Sequence, residues 1–293
     1  MKNLKVFICA MLLVLGITTI AGAAPTYVYD GGLGTWSDVN KTSVIGNPDS
    51  LLCWAASASN ALAWTGWRGW DSGTSTYIST TAAIYAQFDA GWGNHTGSAI
   101  YAYEWWMTDH TTANSNFGET LDSQGKNFYP GVVSDPHLAG SVVNFVQDGV
   151  ANQIYNFLGT YINDDRGIVA SIDVPNGPGQ IGPYSHAVTV WGWDPTLNLI
   201  YITDSDDGVM ALQTYSFFQL GVGGEVYIDN YTNLYTQATD VQITELVRLN
   251  RNSTGIEPNR PTGPDGQIPE PTTILLIGSG LIGLWGFRKK FKK

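Results

Sequence analysis

Ser50-Leu51-Leu52-Cys53-Trp54-Ala55-Ala56-Ser57-Ala58-Ser59-Asn60-Ala61-Leu62-Ala63-Trp64 constrains the fold more than any other stretch. Leu52, Ala55, Ala56, Ser59, Leu62 and Ala63 recur at three- and four-residue intervals, the period of one buried helix face. Ser50 is a suitable N-cap, and Thr65-Gly66 supplies a stop. Cys53 then falls in the first turn, where unpaired backbone N–H groups and the helix dipole favour negative charge. A thiol there is biased toward thiolate, the form that attacks. The same position also suits an inert, buried cysteine.

The 293 residues allow one or two domains and a sizeable core. Eleven Trp, 15 Tyr and only 13% charged residues describe a folded chain, not a disordered one. Lys2 and Lys5 precede an apolar run from Val6 to Ile20 and the small residues Ala21-Gly22-Ala23. That pattern predicts a secretory signal peptide over residues 1–23. Its removal takes Cys9 with it and leaves Cys53 as the lone thiol. No internal disulfide is then possible, so Cys53 is either an intermolecular link or a reactive group.

Residues 250–268 are rich in Pro, Gly and polar side chains without periodicity, the pattern of a flexible linker. Pro269-Glu270-Pro271, an apolar stretch from Thr272 to Phe287 and the tail Arg288-Lys289-Lys290-Phe291-Lys292-Lys293 follow. The basic end predicts that this terminus stays cytoplasmic while the body lies outside. In order and composition, residues 269–293 resemble the PEP-CTERM sorting signal of Gram-negative bacteria. The resemblance implies a transmembrane helix that holds the protein at the inner membrane. It also implies an exosortase partner that cleaves near the motif and delivers the product to the cell surface or extracellular matrix. Without the seven basic residues of the two ends and without Glu270, seven basic and 24 acidic residues remain, a formal charge of −17. Such a body repels nucleic acid and anionic lipid.

Within residues 24–249, Tyr27 to Val39 is an aromatic, Gly-rich lead-in, and Lys41 stands twelve positions before Cys53. Trp64 to Trp106 is rich in Trp and Tyr, which suits core packing and also suits a sugar- or peptide-binding cleft. Ile100 to Trp106 reads as a strand or a short helix. Leu138 to Leu158 shows helical spacing in two pieces, Val142, Phe145 and Val146, then Val150, Ile154, Phe157 and Leu158. Ile168 to Val174 is a strand, and Asp240 to Leu249, with Val241, Ile243 and Val247 inward, is the last one.

Ser185 to Trp193 and Leu199 to Asp204 are strand-like and flank the turn Asp194-Pro195-Thr196-Leu197-Asn198, which predicts a β-hairpin. A turn centred on Thr196 sets His186 opposite Asp206 and Val188 opposite Asp204, all on one face. A one-residue slip pairs His186 with Ser205 instead. Either register brings His186 within reach of a carboxylate. That suits nucleophilic catalysis by Cys53: the thiol needs a base to hold its proton, and the imidazole needs an acceptor on its other nitrogen. Asp204 to Gly208 does not fit a calcium loop, because Gly208 occupies a ligand position and no closing Glu follows. His95, His110 and His137 lack zinc-ligand spacing. No metal or other cofactor is expected.

Asp38 to Thr42, Asp49 to Cys53, Ser185 to Gly192 and Tyr201 to Asp206 resemble the IdeS/Mac family of immunoglobulin-degrading cysteine endopeptidases, in that family's order and at similar spacings. The resemblance implies an α+β, papain-like cysteine protease fold, in which a helix carrying the Cys packs on an antiparallel sheet carrying His and Asp. It implies Cys53 as nucleophile, His186 as general base and acid, and Asp204 as the residue orienting His186. Asp206 becomes a supporting carboxylate and Lys41 an oxyanion-hole donor beside the Cys53 N–H. Trp54 departs from the small residue expected after the cysteine, and Cys53-Trp54-Ala55 is instead similar to papain. No immunoglobulin-gripping loops are recognisable, so other protein or peptide substrates are expected. A matrix-binding protein on the same scaffold and an acyl transferase are the competing readings.

Overall fold

The computed structural model describes residues 26–27, 36–41, 51–71, 76–108, 125–130, 142–147, 153–162, 166–174, 184–220, 224–232, 239–253 and 255–258. The signal peptide, the Ser50 cap, and the apolar stretch and basic tail all lie outside these residues, and no described helix is long and apolar enough to cross a membrane. The strands are β1 (Thr26–Tyr27), β2 (Gly69–Trp70), β3 (Tyr77–Ile78), β4 (Val143–Gln147), β5 (Gly167–Val174), β6 (Tyr184–Asp194), β7 (Leu199–Thr203), β8 (Gln213–Leu220), β9 (Glu225–Tyr231) and β10 (Thr239–Leu249). The helices are α1 (Cys53–Thr65), α2 (Thr81–Trp92), α3 (Ala99–Met107) and α4 (Gln153–Tyr161).

Strand β6 pairs with β5 on one edge and with β7 on the other, and the path β6-β5-β10-β9-β8-β7 returns to β6. Six antiparallel strands therefore close on themselves, which removes the exposed edges that an open sheet presents. Alternation decides what fills the interior: Ile168, Ala170 and Ile172 of β5, Val188 and Val190 of β6, and Ile200 and Ile202 of β7 all point in. The opposite faces of β5, β6 and β10, through Val169, Ala187 and Val247, join a second core shared with the helices.

Helix α1 lies in that second core. Close approach to the barrel wall depends on small residues, because a Cβ on Gly167 would stand 2.7 Å from Ala61 Cβ. Ser57 Oγ donates to the Ala187 carbonyl at 3.0 Å, and Asn60 Nδ2 donates to Thr189 Oγ1 at 3.0 Å, so both polar side chains on this face tie the helix to β6. On the other side, Trp54 meets Phe88 and Trp92 edge-on, with ring centroids 5.8 and 4.9 Å apart. Helix α1 is thus buried nearly all round, not along one face, because Ala and Ser allow two layers to close on it. It starts at Cys53 with Leu52 as N-cap and no side-chain cap, and Gly66 ends it at φ 82°.

The ambiguous stretch 100–106 is helical, and Trp67, Trp92, Trp105 and Trp106 are buried packing residues. The helical spacing expected around Val142 to Val146 is overturned: β4 is a strand paired with Glu245–Leu249 of β10. Strand β9 covers only the first part of β10, and the edge left beyond it recruits this segment. The start of the expected linker is tied down: Asn252 N–H donates to the Thr65 carbonyl, and Trp67 Nε1 to that of Asn250, at 2.8 and 2.6 Å.

Candidate active site

The candidate residues meet where the N-terminus of α1 reaches one mouth of the barrel. His186 precedes Val188 and Val190 on the inward face of β6, and Asp204 follows Ile200 and Ile202 on the inward face of β7. The hairpin register is Thr189 opposite Thr203 and Val190 opposite Ile202, the alignment centred on Thr196. A bulge at Trp191 shifts the pairing by one toward the turn. Ladder pairing stops at Thr203, so Asp204 to Asp206 turn inward and place both carboxylates on one imidazole. His186 Nε2 lies 2.7 Å from Asp204 Oδ1, and Nδ1 lies 3.4 Å from Asp206 Oδ2.

Cys53, half-buried at the first residue of α1, is electrostatically coupled to His186. Both ring nitrogens face a carboxylate, Nε2 that of Asp204 and Nδ1 that of Asp206. Burial, the largest single influence, pushes the thiol up, but the charge and hydrogen bond of His186 and then Lys41 outweigh it, and the thiol is held below its ordinary value. Burial likewise presses His186 down, yet Asp204 and then Cys53 raise it well above an ordinary imidazole. For Asp204, burial is again the largest influence and opposes ionisation, and His186 overcomes it to hold the carboxyl below its usual range. All three shifts run toward the charged forms: thiolate, imidazolium and carboxylate.

Lys41 is not a solvated surface charge. Its side chain is fully enclosed, and its ammonium sits 2.8 Å from Asp206 Oδ1. Its own N–H donates to the Ser205 carbonyl at 3.1 Å, which anchors the 36–41 segment to the turn after β7. Asp206 thus bridges Lys41 and His186, and the Lys41 charge acts on the Cys53 thiol. A donor so placed suits the oxyanion role implied for Lys41. His186, Asp204 and Asp206 are the one grouping among the described residues whose ligand atoms lie within 4.8 Å of one another, as a metal site requires.

Two further residues act on this site. Tyr231 is wholly buried, and its hydroxyl donates to Asp204 Oδ2. Asp38 is buried nearby with no side-chain partner; burial, then Asp207, then Asp204 push its carboxyl up to about 8. The usable sequence signal for Tyr231 is the break in alternation after Val226 and Ile228, at Asp229-Asn230. Trp54, the departure noted beside Cys53, points away from the thiol into the helical core and donates through Nε1 to the His95 carbonyl at 3.0 Å.

A model of the PEP-CTERM protein-sorting motif matches residues 267–290. No curated protein matches the chain. The motif defines an exported protein that exosortase-type machinery sorts to the cell envelope or surface.

Proposed function

We propose that the sorted body is a papain-like cysteine endopeptidase that hydrolyses protein substrates through a thioester acyl-enzyme. The observation that carries this reading is the buried network His186–Asp204, 2.7 Å, and Asp206–Lys41, 2.8 Å, whose imidazole and ammonium both act on the half-buried Cys53 thiol. The Cys53 thiolate attacks a peptide carbonyl carbon, and the charge on its oxygen is met by the Cys53 N–H and the Lys41 ammonium. His186, protonated in the resting site, gives its proton to the leaving amine as the C–N bond breaks. It then takes a proton from water, which attacks the thioester and frees the thiolate. Asp204 holds the ring and favours its charged form throughout.

Turnover of a broad peptide and protein panel tests the reading. Wild type is expected to cleave members of the panel, and Cys53→Ala to lose about a thousandfold or more in rate. Equal cleavage by both overturns it.

A further inference from the structure

Resting on that reading, we propose that Tyr231 is a positioning residue whose hydroxyl locks the orientation of Asp204, and that a β-bulge at Asp229–Asn230 exists to aim it there. An ionised carboxylate has two oxygens to satisfy. Oδ1 of Asp204 accepts from His186 Nε2 at 2.7 Å and from the Asp206 N–H at 2.9 Å. Oδ2 accepts from Tyr231. Without that donor one buried anionic oxygen loses its charge-assisted bond, and the carboxylate is free to rotate off the imidazole.

The backbone explains how a tyrosine comes to sit there. Val226 and Ile228 of β9 point inward, so strict alternation would turn residue 230 inward next. Pairing runs Ile228 opposite Val241 but Tyr231 opposite Thr239, so β9 carries one extra residue. Asn230 absorbs it at φ 51°, in the left-handed region that Asn tolerates, and its N–H donates to Asp240 Oδ1 at 3.2 Å. The inward position passes from Asn230 to Tyr231, which packs 5.5 Å from the Tyr215 ring and 6.5 Å from His186.

The charged and titratable groups around Asp204 and its imidazole are His186 on β6, Cys53 beyond it, Tyr231 on β9, Tyr215 on β8, Asp38 and Lys41 on the 36–41 segment, and Asp206 and Asp207 on its own turn. Tyr231→Phe changes only the hydroxyl. A misaligned Asp204 supports the imidazolium less, so His186 loses its proton at lower pH and the Cys53 thiolate forms at higher pH. The pH window of the ion pair narrows from both ends.

The readout is the rate of Cys53 alkylation by iodoacetamide against pH, with thermal unfolding as the fold control. In Tyr231→Phe we expect the acid edge of alkylation to move up by about one pH unit, a tenfold loss of thiolate there, and the alkaline edge of peptidase turnover, which reports His186, to move down by about as much. The kcat of Tyr231→Phe should fall about tenfold at unchanged KM. Asn230→Gly, which adopts the same backbone, should keep the wild-type window; Asn230→Val, which disfavours it, should narrow the window with the hydroxyl still present. A folded Tyr231→Phe protein with an unchanged window overturns the proposal. If Tyr231→Phe does not fold, a wild-type window in Asn230→Val overturns it instead. A wild type whose Cys53 alkylates as an ordinary thiol overturns the peptidase reading itself, so the two failures are distinct.

Discussion

Asp38 shows how one carboxyl can cost stability beside a site that needs charge. In the folded protein it keeps its proton up to about pH 8, whereas its reference carboxyl value is 3.8. Between those values the folded state binds more protons than the unfolded chain, so this residue makes stability fall as pH rises. Asp38→Asn should therefore stabilise the protein increasingly from about pH 4 to about pH 8 and have no such effect below. Urea midpoints measured across that range check it; a difference that does not change with pH refutes it. His186 and Asp204 bear on stability in opposite directions. Raised His186 contributes stability below its ordinary value that is lost as pH climbs through its folded one, and lowered Asp204 contributes above its ordinary value and loses it on acidification. Cys53, His186, Asp204, Asp206 and Lys41 were legible in the sequence because short motifs carry them. Asp38 was not, since its burial arises only when remote segments close on it, and Tyr231 left no trace beyond the lost alternation at Asp229-Asn230, since its partner Asp204 lies on another strand.

At the scale of elements, α1 depends on being thin. Its contact with β5 is made by Gly167 over Ala61, with the Ala61 Cα only 3.0 Å from where a Cβ would stand. Gly167→Ala should push the helix off the barrel and cost about 1–3 kcal/mol, read as a lower urea midpoint at unchanged m-value. Because α1 carries Cys53, the same substitution should also slow alkylation of the thiol. The helix, the hairpin and the last strand were readable from local period and turn residues. Strand β4 was not, because its helical spacing is overridden by the edge that β10 offers from about a hundred residues away in sequence.

The whole molecule joins two signals that act at different places and times. The matched motif at 267–290 governs delivery, and the body carries the residues of the proposed site. Removing residues 269–293 should leave iodoacetamide reactivity of Cys53 unchanged in the purified body, while fractionation should show the protein missing from the envelope or surface. Loss of thiol reactivity on truncation would contradict that division. Barrel closure itself was beyond sequence reading, since β5 pairs with β10 across some seventy residues and no local pattern marks that partner.

The lashing of Asn252 to Thr65 has a geometric consequence. Helix α1 runs 13 residues, so its two ends stand roughly 18 Å apart, with the sulfur at one and the departing chain at the other. The described chain after β10 is thus fastened at the end of α1 opposite the sulfur, so substitutions that free Asn252 should leave the surroundings of Cys53 undisturbed.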